Sequence, residues 1–351
     1  MKIAVAMSGG VDSSVAAALM VEKYGVENVF GVTMKLFCYG VTEGSDKSCC
    51  SLDAIADAAA VCKQLGIKHY VVNLEKEFER DVIGDFIAGY QGGLTPNPCV
   101  RCNQLIKYEH LLKKVQELGA DKLVTGHYAR ISHDKNGYHL LAGLDRLKDQ
   151  SYFLYNLTQG QLEKVEFPIG EMEKTETRKL ARKYSLKTAE KTESQDICFV
   201  TTSVQNFLLD KVEKKLGNIV DQAGKILGKH NGLTNYTVGQ RKGLGGGFSS
   251  IMYVVGLNKD KNEVIIGPEE ALYGDSLAVE RLHWVVNKPK LPYKCMAKIR
   301  YASEAAECTI TEGGFFVTFI TPQKAITPGQ SVVFYDGDEV IGGGIIADDR
   351  A

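Results

Sequence analysis

The sequence predicts an α/β protein whose first part is a parallel sheet, followed by a small central domain and a C-terminal β-barrel. Apolar, β-branched runs alternate with helical segments up to about residue 145, as in a parallel sheet with helices on both faces. The texture changes after about residue 205, and short alternating runs dominate from about residue 275. Such runs are typical of a small barrel. We therefore expect domains at 1–205, 206–273 and 274–351.

The elements of the first domain follow from apolar periodicity and length. Strands are predicted at 3–7, 29–35, 69–74 and 122–125, and helices near 15–21 and at 53–65, 75–90 and 104–118. Ligands in such folds bind at the carboxyl ends of the strands, near a switch in strand order. The segments 8–12 and 125–127 both follow apolar strands, so we expect them at the site.

The second half of the chain reads as β structure. A hairpin is predicted at 217–228 with its turn at 221–224, followed by a Gly-rich basic segment at 233–248. The barrel strands are predicted at 294–301, 307–312, 315–320, 331–335 and 340–347, with turns at 313–314 and 336–337.

Composition limits the classes of protein that this chain can be. Its 351 residues are 44% apolar and 24% charged, which permits two or three domains with sizeable cores. No apolar run approaches the roughly 20 residues of a membrane span, and the first strand begins at residue 3, where a signal peptide would lie. We therefore expect a cytoplasmic protein with no membrane partner, whose nine cysteines are thiols, metal ligands or catalytic groups.

Charge alone does not indicate a nucleic-acid partner, because the net charge is −1. Binding to RNA would need local basic patches, and the sequence has three, within 178–187, 225–242 and 288–300. Each patch is either a solvated face or a set of phosphate contacts.

The segment SGGVDSS at 8–14 is a candidate phosphate-binding loop, since it joins a strand to a helix. Gly9 and Gly10 let the backbone approach a phosphate, while Ser13 and Ser14 are expected to cap the helix. The helix N-terminus then attracts the anion. The loop lacks the Gly-Lys-Ser/Thr ending of kinases and GTPases. It resembles the SGGxDS loop of PP-loop ATP pyrophosphatases, which cleave ATP between its α and β phosphates; an ordinary strand–helix turn is the alternative.

A second motif is the C-x-x-C pair in TPNPCVRCN at 95–103. The two prolines predict a stiff loop, with a helix beginning after it and Asn103 as its cap. A thiol at Cys102, beside Arg101 and a helix N-terminus, would favour the thiolate. A zinc or iron–sulfur site, a redox pair and incidental thiols all remain open for Cys99 and Cys102.

The other cysteines carry weaker signals. Cys49 and Cys50 could add ligands to a metal site. Cys198 is considered below with the family resemblance. We interpret the other four as buried, unreactive thiols, namely Cys38, Cys62, Cys295 and Cys308.

Seven motifs in order give the chain a family resemblance from residue 3 to about residue 346. They are SGGVDSS at 8–14, Met34 within VTMK, TPNP…CN at 95–103, TGHYAR at 125–130, KDQSYFL at 148–154, SQDICFV at 194–200 and YTVGQRKGLG at 236–245. Together they resemble the bacterial tRNA-specific 2-thiouridylases, the MnmA family of PP-loop ATP pyrophosphatases.

The resemblance implies an ATP-dependent tRNA-uridine 2-sulfurtransferase. Such an enzyme adenylylates the C2 oxygen of the wobble uridine in the tRNAs for Lys, Glu and Gln, and replaces that oxygen with sulfur. It implies ATP and Mg²⁺ as cofactors, and tRNA and a persulfide donor as partners. The donor would be a cysteine desulfurase or a sulfur-relay protein.

The resemblance also implies roles for individual residues. Cys102 would be the nucleophile, Cys198 the persulfide carrier, and Asp12 a contact for Mg²⁺ and pyrophosphate. The implied ATP-binding residues are Met7, Ser8, Gly9, Gly10, Val11, Asp12, Ser13, Ser14, Met34 and Gly126. The implied tRNA-binding residues are Asn97, Pro98, Cys99, His127, Lys148, Asp149, Gln150, Arg300, Tyr301 and Gln330.

The chain departs from the family pattern at Cys99, where many relatives have an acidic residue. Cys99, Cys102 and Cys198 could together hold a [4Fe-4S] cluster; a persulfide route that ends in a Cys102–Cys198 disulfide is the competing interpretation, and zinc is a third. Two other functions stay open at this stage. One is a PP-loop synthetase acting on a small molecule, and the other is a non-catalytic RNA-binding module with a structural metal.

Overall fold

The computed structural model describes residues 1–37, 52–192, 197–200, 202–248, 250–311, 313 and 315–348. The chain forms two compact units. The first comprises Met1–Ile83, Cys99–Thr201 and Asp338–Ile341; the second comprises Gly84–Pro98, Thr202–Gly337 and Gly342–Ala351. Within the described ranges, no helix is long and apolar enough to span a bilayer.

The first unit is built on a parallel sheet. Its strands are β1 (Ile3–Ala6), β2 (Val29–Lys35), β3 (Lys68–Asn73), β4 (Lys122–Val124), β5 (Ala129–Asp134), β6 (Gly137–Ala142) and β7 (Val165–Glu166). Five of them form the parallel sheet in the order β3-β2-β1-β4-β7, whereas β5 and β6 form an antiparallel hairpin. The order reverses at β1, so the loop after β1 lies at a switch point, where ligands bind in such sheets.

Helices cover this sheet because its central strands β1 and β2 are largely apolar. Within the described residues, the α- and π-helices of the first unit are Val11–Tyr24, Leu52–Gln64, Glu75–Phe78, Glu79–Ile83, Pro98–Arg101, Cys102–Leu111, Leu112–Glu117, Gln159–Glu163 and Lys174–Lys183, and its 3-10 helices are Val26–Asn28 and Ser151–Leu154. Helix Val11–Tyr24 buries Val15, Ala16 and Ala17 against the β1 residues Ile3 and Val5 in one core. Its small side chains let the helix lie close to the strand.

The second unit is made mostly of β structure. Its strands are β8 (Gly217–Val220), β9 (Ile226–His230), β10 (Tyr253–Asn258), β11 (Glu263–Gly267), β12 (Tyr273–Trp284), β13 (Tyr293–Lys298), β14 (Ala306–Ile310), β15 (Phe316–Lys324), β16 (Ser331–Asp336) and β17 (Glu339–Ile346). Its α-helices among the described residues are Gly84–Gln91 and Val204–Leu208, and its 3-10 helices are Leu233–Asn235 and Glu269–Leu272. Strands β10-β11-β8-β9 form one sheet, while β12-β15-β14-β13-β16-β17 close into a six-stranded barrel through a β12–β17 pairing. The predicted α/β class with a C-terminal barrel is therefore confirmed.

The element predictions were accurate where periodicity was strong and wrong where tertiary contacts decide. The strand at 29–35 and the hairpin turn at 221–224 are confirmed. The predicted helix start at 104 is wrong, because the helix begins at Pro98; proline fits the first helical turn, where its missing N–H has no partner in any case. The hairpin β5–β6 and the long strand β12 were not predicted. Cys38, Cys49 and Cys50 lie outside the described residues.

His139 of the β5–β6 hairpin is bonded to two carboxylates. Nδ1 of His139 lies 2.5 Å from Oε1 of Glu339, and its Nε2 lies 2.9 Å from Oδ1 of Asp134. The hydrogen bond with Asp134 and then that with Glu339 raise the pKa of His139 above its ordinary value of 6.5. Because the folded pKa is the higher one, this contribution to stability is fully present below pH 6.5 and is lost as the pH rises through the folded value.

We predict that His139→Gln lowers the stability of the first unit by roughly 0.5–1 kcal/mol near pH 6. The difference from the parent protein should shrink as the pH rises through the raised pKa of His139, since a neutral imidazole gains little from the two carboxylates. Thermal unfolding followed from pH 6 to pH 9 tests this. A gap between the two proteins that stays constant across the range would contradict the ionic contribution.

Candidate functional site

The loop after β1 has the backbone geometry of a phosphate-binding turn. Gly9 adopts φ +69°, and a Cβ there would lie 2.4 Å from the carbonyl oxygen of Ala54. Only glycine combines this positive φ with so close an approach. Gly10 is the N-cap of helix Val11–Tyr24 and has no side chain to cap it. The N–H groups of the first turn are therefore directed toward the space beyond the loop, which suits an anion.

The serines of the loop do not cap the helix as the sequence predicted. Ser14 Oγ donates to the Gly10 carbonyl at 2.8 Å, and Ser13 Oγ contacts the same oxygen at 3.2 Å. Ser13 Oγ also accepts from the Ser8 N–H at 3.2 Å. The two serines lie inside the helix at its third and fourth positions, so their hydroxyls bond backward to the loop and fix its shape.

A buried lysine and a tyrosine hold the carboxylate of Asp12. Lys174 Nζ lies 2.8 Å from each carboxylate oxygen of Asp12. The Tyr128 hydroxyl donates to the same carboxylate at 3.0 Å and also contacts Thr177 Oγ1 at 2.9 Å. Lys174 is only 8% exposed, and a buried ammonium needs such a partner. The position of Asp12 is thus set from two elements distant in sequence.

Gly126 brings the end of β4 against the start of the helix that follows the loop. A Cβ at Gly126 would lie 2.7 Å from the backbone carbon of Asp12 and from the backbone nitrogen of Ser13. Met7 is buried before the loop, and its backbone N–H bonds to Val32 on β2. Met34 lies partly buried near the carboxyl end of β2. The predicted ATP-binding residues are therefore gathered at the carboxyl edge of one sheet.

Cys102 lies on a helix rather than in a loop. Pro98–Arg101 forms the first turn, and Cys102 opens a wider, π-helical segment that runs to Leu111. Asn103, predicted as a cap, is instead buried within the helix, where its Nδ2 donates to the Cys99 carbonyl at 3.0 Å. π-Helical segments are often found at functional sites. Cys99 and Cys102 thus share one rigid element.

A buried polar cluster connects the Cys102 helix to the end of β4. Tyr108 lies on that helix; its hydroxyl contacts His127 Nδ1 at 3.0 Å and Thr125 Oγ1 at 3.2 Å. Burial raises the pKa of Tyr108, and the nearby charge of Cys102 raises it further. Since Thr125 and His127 flank Gly126, the helix of Cys102 and the phosphate loop meet the same strand end.

His127 is a neutral structural residue of this cluster. Burial, followed by the charge of Lys107, holds the pKa of His127 well below 6.5. Lys107 Nζ lies 3.3 Å from Nε2, and an ammonium can only donate. Nε2 therefore accepts, and the proton belongs on Nδ1, which donates to Thr125 Oγ1 at 2.6 Å. Contact of His127 with tRNA stays a prediction.

The segment that carries Cys198 is anchored by its neighbour. Phe199 is 2% exposed and packs edge-on against Phe78, with ring centroids 5.7 Å apart. Cys99, Cys102 and Cys198 are all of intermediate exposure. Among the described residues, no group of three or more His, Cys, Asp or Glu side chains is arranged to hold a metal ion. The three thiols do not form a ready ligand set in this structure.

Two more of the predicted tRNA-binding residues of the first unit serve its fold. Asp149 Oδ1 accepts from the backbone N–H groups of Gly143 and Ser151, at 2.9 and 3.0 Å. Gln150 Oε1 accepts from the N–H of Tyr128 at 3.0 Å. The neighbouring Lys148 is partly exposed. The Gln150 contact positions Tyr128, which bonds to Asp12; roles of Lys148, Asp149 and Gln150 in RNA binding stay predictions.

In the second unit, Gln330 and Arg300 bond to backbone groups. Gln330 Nε2 donates to the Thr95 carbonyl at 2.7 Å, two residues before the predicted contacts Asn97 and Pro98. Arg300 Nη2 donates to the carbonyl of Ala325 at 2.7 Å and to Thr327 Oγ1 at 2.5 Å. Tyr301 is 37% exposed and stays a predicted tRNA contact.

Sequence reasoning missed three residues of the site: Lys174, Tyr128 and Tyr108. Tyr128 and Tyr108 stand in segments that the sequence analysis used, but their bonds to Asp12 and His127 depend on tertiary packing. Lys174 carried one local signal. It is a cation at the first position of helix Lys174–Lys183, where the helix dipole disfavours positive charge.

Comparisons with known proteins define the class of the chain. A family model described as the tRNA methyl transferase HUP domain matches residues 1–202. Models described as the tRNA methyl transferase PRC-barrel domain and the aminomethyltransferase β-barrel domain match residues 205–268 and 274–346. The fold and the loop are those of a nucleotide-binding HUP domain followed by two β modules.

Full-length relatives give the family within that class. The chain is 50% identical to the tRNA-specific 2-thiouridylase MnmA of Geobacter metallireducens, over 98% of this chain and 96% of that protein. It is 49% identical to that of Magnetococcus marinus, over 98% of both chains. The chain belongs to the MnmA family of tRNA-specific 2-thiouridylases. The solved U34-tRNA thiolase NcsA of Methanococcus maripaludis, shown with its [4Fe-4S] cluster, is 21% identical over 60% of this chain and 65% of that chain. Its TM-score of 0.36 is too low to support an argument about the site.

We predict that Gly126→Ala impairs the phosphate loop. Its methyl group would press on the backbone between Asp12 and Ser13, which should cost roughly 1–3 kcal/mol of stability and weaken ATP binding. Gly160→Ala is the matched control, because its Cβ would meet nothing within 4 Å. Thermal unfolding and ATP titration of both variants test this. Parent-like ATP affinity in Gly126→Ala would show that the close contact does not shape the loop.

Proposed function

We propose that the protein is an ATP-dependent tRNA 2-thiouridylase. ATP binds at the loop 8–14 and adenylylates the C2 oxygen of the wobble uridine. This step turns a poor leaving group into AMP and releases pyrophosphate. Sulfur then replaces the AMP at C2. The catalytic domain would be 1–205, followed by a central domain at 206–273 and a barrel at 274–351 that binds tRNA, in a cytoplasmic protein.

The observation that carries this proposal is the shared strand end at Thr125–His127. Gly126 touches the backbone of the phosphate loop at Asp12, while Thr125 and His127 bond to Tyr108 of the Cys102 helix. A nucleotide-binding turn and a candidate nucleophilic thiol are therefore linked through three consecutive residues. Membership of a family whose relatives are named 2-thiouridylases supports the same reaction.

Two routes of sulfur transfer are open to an enzyme with the thiol of Cys102 and a persulfide on Cys198. In the first route, the terminal sulfur of a Cys198 persulfide attacks C2 and displaces AMP; the Cys102 thiolate then attacks Cys198 Sγ and releases the thiouridine. In the second route, Cys102 attacks Cys198 Sγ first and releases sulfide, which attacks C2. Both routes leave a Cys102–Cys198 disulfide. A dithiol reductant must supply two electrons to reset the enzyme.

The cofactors beyond ATP belong to this proposal. Mg²⁺ would neutralise phosphate charge, with Asp12 as the carboxylate that the loop itself provides. A [4Fe-4S] cluster on Cys99, Cys102 and Cys198 is the alternative to the persulfide route. We favour the persulfide route, because it needs only Cys102, Cys198 and a persulfide donor. The sulfur donor would be a cysteine desulfurase or a relay protein that carries a persulfide.

The direct experiment is nucleoside analysis of tRNA after incubation with the protein, ATP, Mg²⁺ and a persulfide source. We expect 2-thiouridine at the wobble position, with AMP and pyrophosphate formed only when tRNA is present. ATP–pyrophosphate exchange that depends on a small molecule instead of tRNA would contradict the proposal. Protein that binds no ATP at millimolar concentration would point to a non-catalytic RNA-binding module.

We predict distinct losses for the two catalytic thiols. Cys198→Ser should accept no persulfide and form no thiouridine, whereas Cys102→Ser should accept the persulfide but fail to complete turnover. Both should bind ATP like the parent. Cys295→Ser, which changes a thiol of the barrel, should retain thiolation. Mass spectrometry of the persulfide and of tRNA nucleosides distinguishes these cases. Thiolation at the parent rate by Cys102→Ser would contradict the persulfide route. So would iron bound to active, anaerobically purified protein, if the Cys99→Asp variant contains less iron than the parent.

We predict that Arg300→Ala weakens binding of cognate and non-cognate tRNA alike. Loss of one phosphate contact should lower the slope of log affinity against log salt by about 0.7–0.9. Because Arg300 also bonds to Ala325 and Thr327, the unfolding temperature of the Arg300→Ala variant should fall as well. Lys261→Ala, which removes an exposed charge from a hairpin turn, is the control. A lower unfolding temperature with an unchanged salt slope would make Arg300 purely structural.

A further inference from the structure

The phosphate loop of this protein contains no cation of its own. Residues 7–14 include neither Lys nor Arg, whereas Gly-Lys-Ser/Thr loops place a lysine on the β and γ phosphates. ATP bound here would bring several negative charges to a loop whose one ionisable side chain, Asp12, is itself an acid. Backbone N–H groups and a helix dipole offset only part of that repulsion.

The structure places one lysine at this loop from elsewhere in the chain. Lys174 opens helix Lys174–Lys183, which packs against helix Val11–Tyr24. Its backbone N–H donates to Asp145 Oδ2 at 3.0 Å, and its Nζ lies 5.6 Å from the centre of the Tyr128 ring. The side chain is thereby held with its ammonium 2.8 Å from both oxygens of Asp12.

The position of Lys174 is unfavourable for the stability of the fold, which suggests that its charge serves the function of the site. A cation in the first turn of a helix opposes the helix dipole, and the Lys174 side chain is only 10% exposed, so it is largely removed from water. A buried ion pair seldom stabilises a fold more than apolar residues of the same size would. Departures from local preference of this kind concentrate at functional sites.

We infer that Lys174 is a phosphate-binding residue that supplies the cation missing from the loop. Asp12 holds its ammonium at the loop in the ligand-free protein, and the ammonium engages the phosphate chain when ATP binds. This inference rests on the proposed function, because it assigns the phosphate part of the ATP site. It requires the charge of Lys174 to act on phosphate directly, not only by orienting Asp12.

Binding measurements in EDTA test this inference without a metal ion or turnover. The probes are ATP, pyrophosphate and adenosine, titrated into the full-length parent, Lys174→Gln and Lys174→Arg. We expect Lys174→Gln to weaken ATP and pyrophosphate binding at least tenfold and adenosine binding less than twofold. Lys174→Arg should restore most of the loss, because it retains the charge. Lys179→Gln, at an exposed position of the same helix, should bind all three probes like the parent.

The variants Asp12→Asn and Asp12→Asn/Lys174→Gln separate a direct role from an indirect one. If Lys174 contacts phosphate, Asp12→Asn should bind metal-free ATP at least as tightly as the parent, and the double variant should lose at least tenfold relative to Asp12→Asn. Equal affinities of Asp12→Asn, Lys174→Gln and the double variant would overturn the inference, because Lys174 would then act only through Asp12. The double variant leaves no unpaired buried charge, so this comparison also serves if Lys174→Gln alone fails to fold.

Failure of the inference is distinguishable from failure of the proposed function. Parent protein that binds ATP and thiolates tRNA, together with Lys174→Gln that binds ATP equally well, would overturn the inference alone. Parent protein that binds neither ATP nor pyrophosphate would overturn the proposed function, and the inference with it.

Discussion

The site depends on how closely the end of β4 approaches the helix that follows the phosphate loop. At Gly126 there is no room for even a methyl group against the backbone of Asp12 and Ser13. This contact fixes the first turn of the helix in place and sets the direction of its N–H groups. The residues on either side of Gly126 then bond to the helix that carries Cys102. One steric constraint thus places the nucleotide-binding turn and the thiol helix on a common support.

The strand end at Thr125–His127 lies next to both a neutral hydrogen-bonded cluster and a charged pair. The buried His127 stays neutral because burial and the charge of Lys107 lower its pKa. It can therefore accept a hydrogen bond from Lys107 and donate another to Thr125 without adding charge beside the loop. The charged pair Asp12–Lys174 lies at the helix start that Gly126 contacts. A neutral network thus lies next to a charged pair at the same strand end.

The two units protect their β-sheets in different ways. In the first unit the central strands β1 and β2 are largely buried, and the small-residue helix Val11–Tyr24 packs against β1. The barrel of the second unit closes its six strands through a β12–β17 pairing, which leaves the barrel without a free sheet edge. A closed barrel offers a stable surface with exposed side chains on its outer face. Arg300 bonds to backbone groups of this unit, and Gln330 fastens the chain just before Pro98.

The sequence by itself determined what is local. Buried strands such as 29–35 are long apolar runs, and a Gly-Gly turn after a strand defines the phosphate loop, so their positions and the family resemblance could be predicted from residue order. The start of the Cys102 helix could not, because proline at 98 is compatible with either a loop or a first helical turn. The capping role given to Ser13 and Ser14 failed for a similar reason, since their hydroxyls found the Gly10 carbonyl within the helix. Only the tertiary structure could decide that Lys174, 162 residues after Asp12, holds that carboxylate, and that Tyr108 and Tyr128 bond across elements. Such contacts join residues far apart in the chain, so their distances are set by how the strands and helices pack and not by any pattern in the sequence.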